Sequence, residues 1–223
     1  MTRVLLTGFE PFGGESANPS WLAVRAAAET ASAFAQPGGP LAGVEFSTAE
    51  LPCVFGEVVV ALRSAVEAAD PDLVLCVGQA GGRPDITVER VALNLDDARI
   101  PDNSGAQPID RPIEADGPAA YLAALPVKAC VAAVREAGLP ASVSQTAGTF
   151  VCNHVFYGLM HLIATERPAL RGGFVHVPYL PEQVVDRCEP SLPVASVAAG
   201  LRAVVAAAVT TAEDIRMVGG ATH

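Results

Sequence analysis

The sequence predicts an α/β fold, a single domain with a largely parallel, twisted central sheet and helices on both faces. Three observations predict it. Apolar runs of strand length, several rich in Val, Ile and Leu and bounded by Gly or Pro, recur at 3–8, about 45–52, 73–77, 86–95, 141–146 and 172–179. Segments of helical length lie between most of them. The 223 residues are 51% hydrophobic and 17% charged, with 20 glycines and 18 prolines spread along the chain, which is a globular composition at a length common for one α/β domain.

The opening MTRVLLTGFEPFGG has one basic residue, an apolar run too short for a signal peptide, and then a Gly/Pro turn. It reads as the first strand of a cytoplasmic protein. Asn18-Pro19-Ser20 supplies a cap and a first-turn proline before WLAVRAAAETASAF, so a helix is expected there. Residues 33–43 read as a plain connector. The segment 54–69 carries Val58, Leu62 and Val66 at intervals of four, one apolar helical face. The Ala-rich stretch 117–137 is expected to be helical as well. A further helix is expected to begin around Asn153 and to bury Val155, Phe156, Leu159, Leu162 and Ile163. Residues 96–116, DDARIPDNSGAQPIDRPIEAD, are polar, rich in Pro and Asp, and follow neither regular period, so they are expected to form a long surface loop of the kind that is functional or disordered. No internal repeat, low-complexity tract or second boundary divides the chain, and 1–223 is read as one domain.

Several functions are disfavoured at once. The formal charge of −10, from 24 acids against 14 bases, comes without any Lys/Arg run to neutralise a phosphate backbone, so nucleic acid is not an expected partner. The Ala/Val-rich segment 194–212 is interrupted by Arg202 and small polar residues and falls short of the ~18 apolar residues of a membrane span. Five cysteines, an odd number without short spacings, argue against a disulfide framework and against a CxxC zinc site. The glycine-rich turns TGFEPFGG and GQAGG follow strands, but the first lacks a Gly-Lys-Ser/Thr ending and the second lacks the GxGxxG spacing.

The chemistry gathers in SQTAGTFVCNHVFYGLMH, residues 144–161, which sets one cysteine and two of four histidines at a helix opening. Cys53, Cys76 and Cys130 lie within or beside apolar segments and are read as core. Cys152 instead falls at the helix N-terminus, where backbone N–H groups and the helix dipole favour a thiolate. An activated thiol needs a base. His154 is two residues away on a helix, where side chains do not face each other, so it is read as structural. His154 and His161 are too loosely spaced to specify a metal, and none is expected. His176 stands at the carboxyl end of the strand GGFVHVPYL, where ligands gather in open parallel sheets, and is the best-placed base. Glu89 interrupts the apolar strand in GGRPDITVERVALNL; its ionised form is costly to bury unpaired, and it is the natural group to orient His176.

Taken in order and spacing, LLTGFEPFGG with NPSW, VGQAGGRPDITVERVALN, DDARIPDNSG, TAGTFVCNHVFYGLMH and GGFVHVPYLPEQ resemble pyroglutamyl peptidase type I, also called pyrrolidone carboxyl peptidase. The resemblance runs from residue 3 to the C-terminal helix. It implies a cytoplasmic cysteine exopeptidase with a phosphorylase/hydrolase-like α/β fold, without cofactor, that removes an N-terminal pyroglutamyl residue from peptides and assembles as a homo-oligomer, a tetramer or dimer. The family's catalytic Glu, Cys and His match Glu89, Cys152 and His176. The resemblance further implies that Phe9 and Phe12 sandwich the lactam, that Phe150, Val151 and Ile100 extend the wall, and that Gln79 in GQAGG supplies backbone hydrogen bonds. Arg99 is implied near the scissile carbonyl. Val88 stands where many relatives have proline, and residues 30–45 match no recognisable pattern. The rival class is a purine-nucleoside-phosphorylase-like enzyme, whose superfamily resembles this fold and also holds ligands at strand ends.

Overall fold

The computed structural model describes residues 1–34 and 39–221, so part of the connector read over 33–43 lies outside the described residues. The elements run β1 (Thr2–Phe9), α1 (Pro19–Phe34), β2 (Val44–Leu51), α2 (Glu57–Ala69), β3 (Leu73–Gln79), β4 (Ile86–Glu89), β5 (Val91–Leu93), β6 (Ala120–Leu122), α3 (Val127–Glu136), β7 (Ala141–Ser144), α4 (Val151–Thr165), β8 (Arg171–Val177) and α5 (Val194–Thr210), with one turn of 3-10 helix at Pro181–Val184 before α5.

Six strands form the central sheet in the order β2-β1-β3-β8-β4-β7. β1 is parallel to β2 and β3, and β3 is parallel to β8. The direction reverses once, where β4 runs antiparallel to β8; β7 then runs parallel to β4. The sheet is therefore mostly parallel, as the alternation of strand and helix requires, because parallel neighbours need a crossover. Helices cover both faces. Leu6, Leu75, Val88, Val175 and Val177 pack with α1, α3 and α5, whereas Leu5, Val74, Cys76 and Phe174 pack with α2 and α4. The apolar face Val58, Leu62 and Val66 is buried in α2, and Val155, Phe156, Leu159, Leu162 and Ile163 are buried in α4. Among the described residues no helix is long and apolar enough to cross a membrane.

Two segments correct the sequence-based expectation. The apolar run 86–95 is not one strand: it breaks at Arg90, whose N–H donates to Ser144 O while its C=O accepts from Ala123 N–H. β5 then leaves the main sheet to pair with β6 in a separate antiparallel ribbon. Nor is 117–137 one helix. Pro118 disfavours helix for its predecessor and Pro126 cannot donate within one, so Ala120–Leu122 becomes a strand and the helix starts only at Val127. Cross-strand pairing and two prolines outweigh alanine's helical propensity.

Candidate active site

The reversal at β4 builds the centre of the site. Thr87 sits directly opposite His176 across the antiparallel step, so Glu89, two residues on and on the same face, lies diagonally within side-chain reach. His176 Nδ1 and Glu89 Oε1 are 2.7 Å apart, with Glu89 fully buried and His176 3% exposed. An ionised carboxylate only accepts, so the imidazole carries its hydrogen on Nδ1 and leaves Nε2 bare. On the other side of β8, His176 pairs in register with Gly78 of β3. A Cβ built on Gly78 would lie 2.8 Å from Cys152 Sγ and 2.8 Å from Phe174 Cζ. Only a bare backbone lets the thiol settle there, against the residue that neighbours His176.

Cys152 is the second residue of α4, after Phe150, which caps the helix without a side-chain hydrogen bond. The first backbone N–H groups of that helix lack intrahelical partners beside the sulfur. Burial nevertheless pushes the Cys152 thiol well above its ordinary value, reinforced by Cys53 and Glu89 and only partly opposed by Arg83. Desolvation outweighs the helix-end effect that favours a thiolate, so the resting sulfur is a thiol. Burial likewise holds His176 below its ordinary value, against the opposing pull of Glu89, so the imidazole is neutral near pH 7. Burial works against a charged Glu89, but the hydrogen bond and charge of His176, together with Arg83, prevail and hold its carboxyl below the ordinary range. The resting site thus combines a neutral thiol, a neutral imidazole and an ionised carboxylate.

A cavity of about 220 Å³ is lined by Phe12, Asp97, Arg99, Ile100, Thr149 and Phe150. Phe150 forms an aromatic wall with Phe12 at 6.2 Å and, edge-on, with Phe55 at 5.3 Å. The Phe12 turn is tied to the 96–116 loop through Asn103, whose Nδ2 donates to Glu10 Oε1 at 2.8 Å and to Pro11 O at 2.9 Å. Four of the expected pocket residues, Phe12, Arg99, Ile100 and Phe150, therefore meet in one cavity. Phe9 and Val151 are instead buried in the core beneath it, with the Phe9 ring 6.4 Å from Phe174. Gln79 closes β3 and accepts from Gln183 at 3.3 Å.

A model of the pyroglutamyl peptidase family matches residues 2–214. The chain belongs to the pyroglutamyl peptidase family. It is 64% identical over 225 residues to a pyrrolidone-carboxylate peptidase of Streptomyces coelicolor, and 52% identical over 224 residues to one of Yersinia pestis, with 100% of each chain covered in both comparisons. Among solved structures it is similar to pyroglutamyl peptidase I of Bacillus amyloliquefaciens, with a TM-score of 0.89 at 46% identity over 96% of this chain and 100% of that one. A mutant pyrrolidone carboxyl peptidase of Pyrococcus furiosus superposes with a TM-score of 0.85 at 36% identity, covering 93% of this chain and 98% of that one.

In this member of the pyroglutamyl peptidase family the two other histidines among the described residues, His154 and His161, have partners of their own. His154 Nδ1 donates to Asp96 Oδ2 at 2.8 Å, and His161 Nδ1 shares a hydrogen bond with Tyr121 Oη at 2.9 Å. Among the described residues no three His, Cys, Asp or Glu side chains stand together to hold a metal ion. Burial drives the thiols of Cys53, Cys76 and Cys130 up to about 12. Two residues that shape the site escaped the sequence reading. Asn153 is fully buried and clamps the start of α4 to the chain after β4, accepting from Leu93 N–H at 2.9 Å and donating to Leu93 O and Leu95 O at 2.9 and 3.0 Å. Arg83 reaches Glu89 Oε1 at 2.6 Å. The available signal for Arg83 was charge balance: a buried glutamate demands a cation, and this one stands six residues before it in the same motif.

Proposed function

We propose that this chain hydrolyses the peptide bond following an N-terminal pyroglutamyl residue, with Cys152 as nucleophile, His176 as base and acid, and Glu89 as the group that fixes the imidazole. The Cys152 sulfur attacks the pyroglutamyl carbonyl carbon while its proton passes to His176 Nε2. The resulting imidazolium, steadied by Glu89, gives that proton to the leaving amine as the C–N bond breaks. Water then adds to the thioester, its proton taken by His176, and the thiol recovers a proton as free pyroglutamate departs. Unpartnered N–H groups at the start of α4, with Arg99 across the cavity, are the candidate donors to the oxyanion. The lactam is neutral and lacks a free α-amine, which suits an aromatic slot around Phe12 and Phe150.

The observation that carries this reading is the buried 2.7 Å His176–Glu89 hydrogen bond beside a thiol seated over Gly78. The test is turnover of a pyroglutamyl fluorogenic amide. Activity that iodoacetamide abolishes and EDTA leaves alone is expected. Phosphate-dependent cleavage of nucleosides, with no amide turnover, would overturn the reading in favour of the phosphorylase class.

A further inference from the structure

The Cys–His–Glu reading leaves one buried charge arrangement without an assigned purpose. Arg83 lies in the turn after β3, and its Nη1 donates to Glu89 Oε1 and Thr87 Oγ1, both at 2.6 Å, and to Ser144 Oγ at 3.3 Å. Nη2 donates to Thr146 O at 3.1 Å. The guanidinium is thus braced from β4, from the end of β7 and from the segment that leads into α4. Its side chain is 28% exposed, while the glutamate that it meets is fully buried. Both His176 and Arg83 donate to the same oxygen of Glu89.

A carboxylate buried against a neutral imidazole alone has two ways to shed its desolvation cost. It takes up a proton, and the resulting acid no longer requires hydrogen on His176 Nδ1. Alternatively it draws a proton onto the imidazole, which then has no lone pair with which to accept the thiol's hydrogen. Either outcome removes the base. A permanent cation on the same oxygen blocks both, because it neutralises the carboxylate and repels a second positive charge on the ring.

We propose that Arg83 is a positioning residue for the triad: its guanidinium supplies the counter-charge that keeps Glu89 ionised and so maintains His176 as the neutral tautomer with hydrogen on Nδ1 and a bare Nε2. The charged groups that act on His176 are Glu89 from β4 and Arg83 from the turn before it, and two thiols, Cys152 of α4 and Cys76 of β3, belong to elements that pack against or pair with its strand. Both thiols are held protonated by burial, so Arg83 and Glu89 set the charge around the ring. This assignment rests on the triad reading, and the two fail differently: retained turnover in His176→Ala would remove the triad itself.

The experiment is the pH profile of kcat/KM for Arg83→Gln and Arg83→Lys on a pyroglutamyl fluorogenic amide, together with 15N resonances of His176. In Arg83→Gln the acid limb is expected to move to higher pH by about one unit, so the rate falls about tenfold more than the unaltered enzyme on that limb and recovers towards alkaline pH. Arg83→Lys keeps the cation and is expected to hold the limb in place while losing rate through the missing second hydrogen bond. A folded Arg83→Gln protein whose rate drops equally at every pH, with the limb unmoved, would overturn the proposal. If that variant does not fold, the unaltered enzyme still decides: its His176 must be neutral at pH 7 with hydrogen on Nδ1, and an imidazolium or the opposite tautomer there would contradict the assignment.

Discussion

Cys152 and its fellow cysteines separate by surroundings and not by residue type. The thiols of Cys53, Cys76, Cys130 and the half-buried Cys152 are all held protonated, but only Cys152 combines a helix opening with a bare glycine beneath the sulfur that pairs in register with a histidine. Cys152→Ser is therefore expected to lower kcat/KM at least about a thousandfold, whereas Cys53→Ser and Cys130→Ser keep most of the rate. Steady-state kinetics on the fluorogenic amide check this; a fully active Cys152→Ser protein would remove the nucleophile assignment. The three residues proposed as the triad stand out in the sequence because each breaks a local rule: an acid inside an apolar strand, a cysteine at a helix opening and a histidine at a strand end. Arg83 and Asn153 do not. A turn arginine and a helical asparagine break no local rule, and their partners, Glu89 and the backbone at Leu93 and Leu95, are known only once the strands are ordered.

Among the elements, the turn after β1 and the 96–116 loop decide which aromatics face the cavity. Phe12 is carried past the strand end to the rim, while Phe9 is the last strand residue and points into the core against Phe174. Their substitutions should accordingly differ. Phe12→Ala is expected to raise KM about tenfold through lost contact with the substrate, with little effect on unfolding. Phe9→Ala is expected to lower folding stability by about 3–5 kcal/mol, with activity falling only as the fold loosens. Paired measurements of KM and urea midpoint separate the two, and the reverse pattern would show that the assignment of wall and floor is inverted. This division was hidden in the sequence, since both phenylalanines belong to one motif and only the strand's end fixes their directions. The same limit applies to the break at Arg90 and the strand at Ala120–Leu122, where pairing partners far along the chain override local pattern.

At the scale of the molecule, stability and the proposed chemistry share a buried charge centre in the middle of the sheet. Both His176 and Glu89 are held below their ordinary values of 6.5 and 4.5. Below an ordinary value and above the depressed one, the unfolded chain binds more protons, so unfolding free energy rises with pH and is lost on acidification. The loss begins as pH falls below about 6.5 through His176 and continues below about 4.5 through Glu89. Asp102, also held below its ordinary value, adds to the second phase only. Melting temperature measured across this range is expected to fall in two stages, and a curve that is flat between pH 7 and 5 would contradict a neutral buried His176. The α/β class and the two-sided helical cover were readable from alternating apolar runs, since hydrophobic burial of a parallel sheet demands them. The antiparallel step at β4, which brings Glu89 to His176, leaves no mark on that alternation. The measurement that bears most directly on the account is rapid acid quenching of the enzyme during turnover of a pyroglutamyl amide, followed by peptide mass spectrometry. The account predicts a thioester of one pyroglutamyl group on the peptide that carries Cys152; turnover without that adduct, or an adduct on another cysteine, would contradict it.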